Sequence, residues 1–135
     1  MTGEGKARQK TILVVDDFEE MRALVRKALE TDGHLVVEAA DGVEAVALAQ
    51  SVLPDLILMD LSMPTLDGFA AVHRIRRLFG LGHVPIIALS AHSAREVRDD
   101  ALAAGFCDYL VKPVDIISLA EAVARHMRPD VQGDS

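Results

Sequence analysis

The sequence has few of the features that mark secreted or membrane-spanning proteins. Its 135 residues include a single cysteine, Cys107, so the chain cannot form an internal disulfide. No apolar run approaches the roughly 18 residues that a membrane-spanning helix needs, and residues 1–10 lack the apolar core of a secretion signal. We therefore expect a cytoplasmic protein that makes no contact with a membrane.

Basic residues are also in the minority. Lysines and arginines number 14 against 21 aspartates and glutamates, which gives a formal net charge of −7. This acidic balance argues against direct binding of nucleic acid or of an anionic membrane surface. The 5 histidines are scattered without the i,i+4 spacing of a helical metal site, so we assign no metal to them.

Hydrophobic residues make up 50% of the chain and fall into short runs. A chain of this length can form one domain with a packed core. Segments of helical period follow each of five strand-length runs, which are residues 12–15, 35–37, 56–59, 84–89 and 109–111. Strands that are apolar on both faces and alternate with helices indicate a parallel sheet covered on both sides. The sequence therefore predicts an α/β fold, a doubly wound five-stranded parallel sheet with helices on both faces, over residues 11–128. Polar tails are expected at 1–10 and 129–135.

Local signals predict where several helices begin and end. Asp41 with Glu44 resembles a capping box, and Ser93 with Glu96 resembles another. Gly105 is expected to close the helix that follows the second of these boxes.

The third helix has an apolar and a basic set of residues. We expect four side chains to point inward, namely Phe69, Val72, Ile75 and Phe79. The basic run is interpreted as a solvated helix face, with a docking surface as the alternative, and consists of His73, Arg74, Arg76 and Arg77.

Polar residues stand directly after four of the five strands. In a doubly wound sheet, ligands bind beyond the carboxyl ends of the strands at the switch point. Asp16 and Asp17 follow the first run and Asp60 follows the third, while Ser90 and Lys112 follow the fourth and fifth. If the strand order is 2-1-3-4-5, the three carboxylates converge in one cleft that Ser90 and Lys112 flank.

Such a cleft has a definite chemistry. Three carboxylates at close range repel one another unless cations are near. Oxygen ligands suit a hard cation, in particular Mg²⁺, with Mn²⁺ as a close substitute. A carboxylate nucleophile beside a divalent metal, a lysine and a hydroxyl group is suited to phosphoryl transfer.

The residues at these strand ends carry a family resemblance. Five motifs occur in chain order, namely Val15-Asp16-Asp17, Leu58-Met59-Asp60-Leu61-Ser62-Met63-Pro64, Asp67-Gly68, Leu89-Ser90-Ala91 and Tyr109-Leu110-Val111-Lys112-Pro113. Together they resemble the receiver domain (CheY-like) of bacterial two-component response regulators, over residues 11–127. The resemblance implies the flavodoxin-like strand order 2-1-3-4-5.

The resemblance also implies a role for each residue of the acidic cleft. Asp60 matches the phospho-acceptor. Asp16 and Asp17 match the acidic pair that holds Mg²⁺ together with Asp60 and the backbone carbonyl of Ser62. Ser62 and His92 match two positions that tune hydrolysis of the phosphoryl group, and the phosphoryl lifetime is left open.

Three further residues match those that bind or respond to the phosphoryl group in the family. Lys112 matches the lysine that pairs with the phosphoryl oxygens, and the Lys112-Pro113 bond matches one that is cis in the family. Ser90 matches the hydroxyl residue that moves toward the phosphate. Tyr109 matches the aromatic switch that turns inward behind it.

The implied function is that of a switch rather than of an enzyme acting on a separate substrate. The domain would take a phosphoryl group from a sensor histidine kinase or a histidine phosphotransfer protein and then bind a downstream target protein. It would catalyse only its own phosphorylation and dephosphorylation, as a monomer or a weak phosphorylation-dependent dimer. No helix-turn-helix follows Met127, which also argues against direct contact with DNA.

Several alternatives stay open or are disfavoured. A stand-alone regulator, a phosphorelay intermediate and the receiver fragment of a hybrid histidine kinase all fit, as does a pseudo-receiver that only binds proteins. A haloacid-dehalogenase phosphatase would carry a second aspartate where Ser62 stands. A flavodoxin-like cofactor binder is disfavoured because the acidic stretch 17–20 would repel a phosphate.

Overall fold

The computed structural model describes residues 9–63 and 66–127, in which five strands alternate with five helices. The elements are β1 Thr11–Val15, α1 Glu19–Thr31, β2 Leu35–Ala39, α2 Gly42–Val52, β3 Leu56–Asp60, α3 Gly68–Arg76, β4 Ile86–Ser90, α4 Arg95–Ala104, β5 Asp108–Val111 and α5 Ile116–His126. Residues 1–8 of the predicted N-terminal tail, residue 128, the predicted C-terminal tail and Pro64 of the second motif lie outside the described residues. Within the described ranges, no helix has the length and apolar character needed to cross a bilayer.

All neighbouring strands pair in parallel, in the order β2-β1-β3-β4-β5. This confirms the predicted doubly wound sheet. The register between β1 and β3 runs from Ile12 opposite Leu56 to Val15 opposite Met59. The residues that follow these strands therefore meet at the same edge of the sheet.

Two apolar layers cover the two faces of the sheet. Because side chains alternate along a strand, Leu13 and Val15 of β1 face one layer, while Ile12 and Val14 face the other. Helices α2, α3 and α4 pack on the first face, and α1 and α5 pack on the second. Every residue of β3 and of β4 is buried. Each fully buried Leu or Ile stabilises the fold by about 1.5–3 kcal/mol. These two strands therefore hold in place the edge of the sheet at which Asp60 and Ser90 lie.

The first predicted capping box is confirmed. The N–H of Glu44 donates to Oδ1 of Asp41 at 2.8 Å, and the Glu44 carboxylate accepts from the N–H of Ala40 at 2.8 Å. The second box is wrong, because α4 begins at Arg95, one residue after Ala94, and has no side-chain cap.

The late start of α4 has a local cause. The N–H of His92 donates to Oγ of Ser90 at 3.0 Å, and the carbonyl of His92 accepts from the hydroxyl group of Tyr109. These bonds hold the β4–α4 loop in a non-helical path past Ser93. Gly105, at φ 121°, ends α4 as expected.

The third helix corrects two expectations. Val72 and Ile75 are buried as predicted, and Phe69 packs edge to face on Phe106 with ring centroids 6.1 Å apart. Phe79 is 99% exposed, because the helix ends at Arg76 and the inward face does not continue to residue 79.

Arg76 is also not the solvated residue that was predicted, although the other members of the basic run are exposed. Its guanidinium group donates to four backbone carbonyls, those of Leu81, Gly82, Val84 and Gly105. Burial lowers the pKa of Arg76. Its side chain therefore joins the α3–β4 loop to the end of α4.

Candidate functional site

The three predicted carboxylates meet at the carboxyl edge of the sheet. Asp16 follows β1 and is fully buried, Asp60 ends β3 and is 4% exposed, and Asp17 is exposed. One oxygen from each side chain lies within 4.8 Å of the others. This convergence follows from the pairing of β1 with β3, which the sequence analysis expected.

Lys112 supplies a positive charge to this cluster. Its Nζ lies 2.9 Å from Oδ2 of Asp16 and 3.3 Å from Oδ2 of Asp60. Lys112 follows β5, and its backbone N–H donates to the carbonyl of Ser90 at 2.7 Å. This bond fixes the backbone from which the Lys112 side chain extends. The Lys112-Pro113 peptide bond is cis, as the resemblance implied.

The charges of the cleft act on one another through a partly desolvated space. Burial raises the pKa of Asp60 and the charge of Asp16 adds to this, while the N–H of Ser62 and the charge of Lys112 act in the opposite direction. Burial by itself would lower the pKa of Lys112, but its contacts with Asp16 and Asp60 raise it. The lysine is therefore positively charged at neutral pH, and ionisation of Asp60 is less favourable than that of a solvated aspartate.

The donor atoms of the cleft fit a divalent metal ion. All three side chains offer carboxylate oxygen, the ligand that hard cations prefer. Oδ2 of Asp16 is buried, and apart from the ion pair with Lys112 it accepts no well-aligned hydrogen bond from the described residues. The exposed position of Asp17 leaves the cleft open on one side.

Ser62 and Ser90 border the acidic cluster. The backbone N–H of Ser62 donates to Oδ1 of Asp60 at 3.1 Å and so fixes the direction of that carboxylate. Ser90 ends β4, is 1% exposed, and holds the N–H of His92 through its Oγ. Ser62 and His92 are both exposed, and each follows a strand that ends at this edge by two residues.

Tyr109 lies inward against the layer formed with α2, α3 and α4, and is 5% exposed. Its hydroxyl group donates to the backbone carbonyl of His92. Through this bond, β5 is connected to the same loop that Ser90 holds.

Gly68 permits α3 to start close to the end of β3. A Cβ atom at this position would lie 2.7 Å from the backbone oxygen of Asp60 and 2.8 Å from Cα of Leu61. Asp67 caps the helix by accepting from the N–H of Ala70 at 2.9 Å. The Asp67-Gly68 motif is thus explained by packing against the end of β3.

The sequence analysis missed one residue beside the site. Arg22 of α1 donates to the backbone carbonyl of Asp16 at 2.8 Å. Its spacing from Asp16 carries no signal for this contact, because the contact depends on how α1 packs beside β2.

The cleft can therefore hold a cation and present a carboxylate to an electrophile. A hydroxyl group stands at its border, and the lysine is in place to meet a second anion.

Comparison with known proteins agrees with this chemistry. The response regulator receiver domain family matches residues 12–124. A 14.6 kDa protein encoded 3′ of sodA1 in Leptolyngbya boryana is 42% identical over 118 residues, which cover 87% of this chain and 90% of that protein. For several other curated relatives, the chain spans between 13% and 48% of their length.

Solved structures show the same fold. Chemotaxis protein CheY4 of Vibrio cholerae superposes with a TM-score of 0.85 at 33% identity, covering 88% of this chain and 99% of that one. The receiver domain of sensor histidine kinase PA1611 from Pseudomonas aeruginosa, which has a magnesium ion coordinated in its active-site cleft, gives a TM-score of 0.82 at 36% identity, covering 89% and 98%. The chain therefore belongs to the response regulator receiver domain family.

Proposed function

We propose that Asp60 accepts a phosphoryl group from the phosphohistidine of a sensor histidine kinase or of a histidine phosphotransfer protein. The observation that supports this most strongly is the convergence of Asp16, Asp17 and Asp60 beside the Lys112 ammonium group. Phosphoryl transfer depends mainly on positioning and on neutralisation of charge. The cleft supplies both around a carboxylate nucleophile.

The cation in this proposal is Mg²⁺, or Mn²⁺ in its place. Asp16, Asp17 and Asp60 would hold it together with the backbone carbonyl of Ser62. The magnesium ion in the related PA1611 receiver supports this assignment. When bound, the cation neutralises charge on the carboxylates and on the oxygens of the phosphoryl group.

In the proposed reaction, a carboxylate oxygen of Asp60 attacks phosphorus in line. The new O–P bond forms while the P–N bond to the histidine breaks, and the electron pair of that bond stays on the imidazole nitrogen. Lys112, which faces Oδ2 of Asp60, pairs with the phosphoryl oxygens. Water later hydrolyses the acyl phosphate, so the domain catalyses only its own phosphorylation and dephosphorylation. Ser62 and His92, both exposed at the cleft, would set the rate of that hydrolysis.

The new group adds about one to two negative charges and several acceptor oxygens. Ser90 would then exchange its bond with His92 for a bond to the phosphoryl group. Because Tyr109 also holds His92, this exchange would change the path of the β4–α4 loop and the packing of Tyr109. The altered surface of α4, β5 and α5 would bind a downstream target protein, as a shift between two packings.

The predictions of a cytoplasmic location, of a monomer or weak phosphorylation-dependent dimer, and of no direct contact with nucleic acid stay predictions. The same holds for the choice between a stand-alone output, a relay step and a fragment of a hybrid kinase. A pseudo-receiver, which binds proteins without phosphorylation, is one outcome of the following test.

The test is incubation with acetyl phosphate and Mg²⁺, followed by intact mass. We expect the mass of one phosphoryl group to be gained, no gain when EDTA replaces Mg²⁺, and no gain in Asp60→Asn. Asp100→Asn, at an exposed position of α4, is the matched control and is expected to react like the wild type. Equal labelling of Asp60→Asn would overturn the assignment of the acceptor. Absence of labelling in the wild type, together with no heat of Mg²⁺ binding, would favour the pseudo-receiver.

A further inference from the structure

Arg22, in the first turn of α1, connects the acidic end of β1 to strand β2. Its Nη1 donates to the backbone carbonyl of Asp16 at 2.8 Å, and its Nε donates to Oε1 of Glu38 at 3.0 Å. Only 15% of the Arg22 side chain is exposed. The guanidinium group is therefore fixed between two acceptors that come from different strands.

The carbonyl that Arg22 holds belongs to the peptide unit between Asp16 and Asp17. Two other polar groups of Asp16 are also held, since its N–H donates to the carbonyl of Ala39 at 3.2 Å and its Oδ1 accepts from the N–H of Phe18 at 2.9 Å. Rotation of this one peptide unit would change the positions of both carboxylates. Arg22 thus acts on the backbone from which both proposed cation ligands extend.

We propose that Arg22 is a positioning residue for the cation site, with Glu38 as the group that orients it. The inference rests on the proposed function, because the ligands that Arg22 would position are Asp16 and Asp17. Groups behind metal ligands commonly change the affinity by about 10–100-fold when they are removed. Arginine suits the role because its planar fork serves two acceptors at fixed angles, whereas a lysine ammonium group is a point charge.

The chain provides a matched control in Arg26, one turn further along α1. Arg26 donates to the same Glu38 carboxylate, to Oε2 at 2.7 Å, and to Oε2 of Glu30 at 2.9 Å. No contact from Arg26 to Asp16 is found among the described residues. Substitution of either arginine by lysine keeps the net charge and changes a bond to Glu38, but only Arg22→Lys alters a contact with Asp16.

The first measurement is calorimetric titration of Mg²⁺ into the wild type, Arg22→Lys and Arg26→Lys. We expect the dissociation constant to rise about tenfold in Arg22→Lys and to stay at the wild-type value in Arg26→Lys. The rate of labelling by acetyl phosphate at saturating Mg²⁺ is expected to change less than the Mg²⁺ concentration that gives half of that rate. Equal dissociation constants in the two variants would overturn the inference.

The second measurement needs no metal. Amide hydrogen exchange followed by NMR in EDTA reports on the Phe18 N–H, which donates to Asp16. Faster exchange at Phe18 in Arg22→Lys, with the core strands unchanged, is expected, and wild-type exchange there would count against Arg22. If the wild type takes up no Mg²⁺, the proposed cation site fails, while this exchange still decides the role of Arg22. Should Arg22→Lys not fold, Glu38→Gln is measured in the same way, and wild-type values in both assays would overturn the inference.

Discussion

The ionised Asp60 carboxylate should destabilise the metal-free protein, so Asp60→Asn should unfold at a higher urea concentration than the wild type. At the 4.8 Å limit of their separation, each pair of acids in the cluster repels by about 3.5 kcal/mol at an effective dielectric constant of about 20. The ion pair of Lys112 with Asp60, at 3.3 Å, offsets about 5 kcal/mol on the same scale. Repulsion from Asp16 and Asp17 thus exceeds the attraction by about 2 kcal/mol. Burial, which is the largest cause of the raised pKa of Asp60, adds to this, while the hydrogen bond from the Ser62 N–H opposes it.

The assay is urea unfolding at neutral pH in EDTA. We expect the free energy of unfolding of Asp60→Asn to exceed that of the wild type by about 1–2 kcal/mol. This is less than the figure above because Asp17 is exposed to solvent. With saturating Mg²⁺, the order should reverse, because the wild type keeps all three carboxylates for the cation. The control Asp100→Asn should stay within about 0.5 kcal/mol of the wild type under both conditions.

The pH dependence gives a second check on the same reasoning. The pKa of Asp60 is raised in the folded state, so the folded protein takes up the proton at a higher pH than the unfolded chain. The unfavourable charge is present above the folded pKa and is removed as the pH falls through it. The advantage of Asp60→Asn in EDTA should therefore shrink toward acidic pH. If Asp60→Asn is no more stable than the wild type in EDTA at neutral pH, the ionised Asp60 carboxylate does not destabilise the metal-free protein.

Two further predictions concern packing, the first at the amino ends of β4 and β5 and the second beside the site. Arg76→Met removes a donor to four backbone carbonyls and should cost about 2–4 kcal/mol in urea unfolding, while Arg74→Met, at an exposed position of the same helix, should stay within about 0.5 kcal/mol of the wild type. If the two variants lose the same free energy of unfolding, the hydrogen bonds of Arg76 do not contribute to stability. Gly68→Ala places a Cβ atom 2.7 Å from the backbone oxygen of Asp60 and should cost about 1–3 kcal/mol and slow labelling of that aspartate. At Gly82 the nearest atom is 3.8 Å away, so Gly82→Ala should be tolerated, and a similar loss in both variants would refute the steric argument.

Much of the fold was predictable because its signals are local. The apolar runs that form β3 and β4 are buried on both faces, which only an inner strand of a covered sheet requires. The convergence of Asp16 with Asp60 also required the strand order 2-1-3-4-5, which the resemblance implied, since carboxyl ends of parallel neighbours share an edge. The resemblance supplied the expected roles of Ser90 and Tyr109, which spacing alone does not give.

The features that sequence reasoning misplaced depend on contacts between distant segments. Arg76 bonds a carbonyl 29 residues away, and nothing in the basic run distinguishes it from its solvated neighbours. Serine is a common helix cap, and Ser93 was predicted to be one. The hydrogen bonds that Ser90 and Tyr109 make with His92 decide instead where α4 starts. Arg22 likewise has its role only once α1 lies beside β2. In each case, contacts between segments that are distant in the sequence decide the structure, so no local pattern of residues predicts it.

The register between β1 and β3 has a consequence for how the cleft comes into being. A slip of one residue would move each side chain of β1 to the opposite face of the sheet and separate the acids by about 3.3 Å along the strand. The carboxylates of the cleft therefore come together only when β1 and β3 pair in the register of the folded protein. A divalent ion bound at the proposed site would stabilise the correctly aligned sheet over misaligned ones, because its ligands come together only in that register.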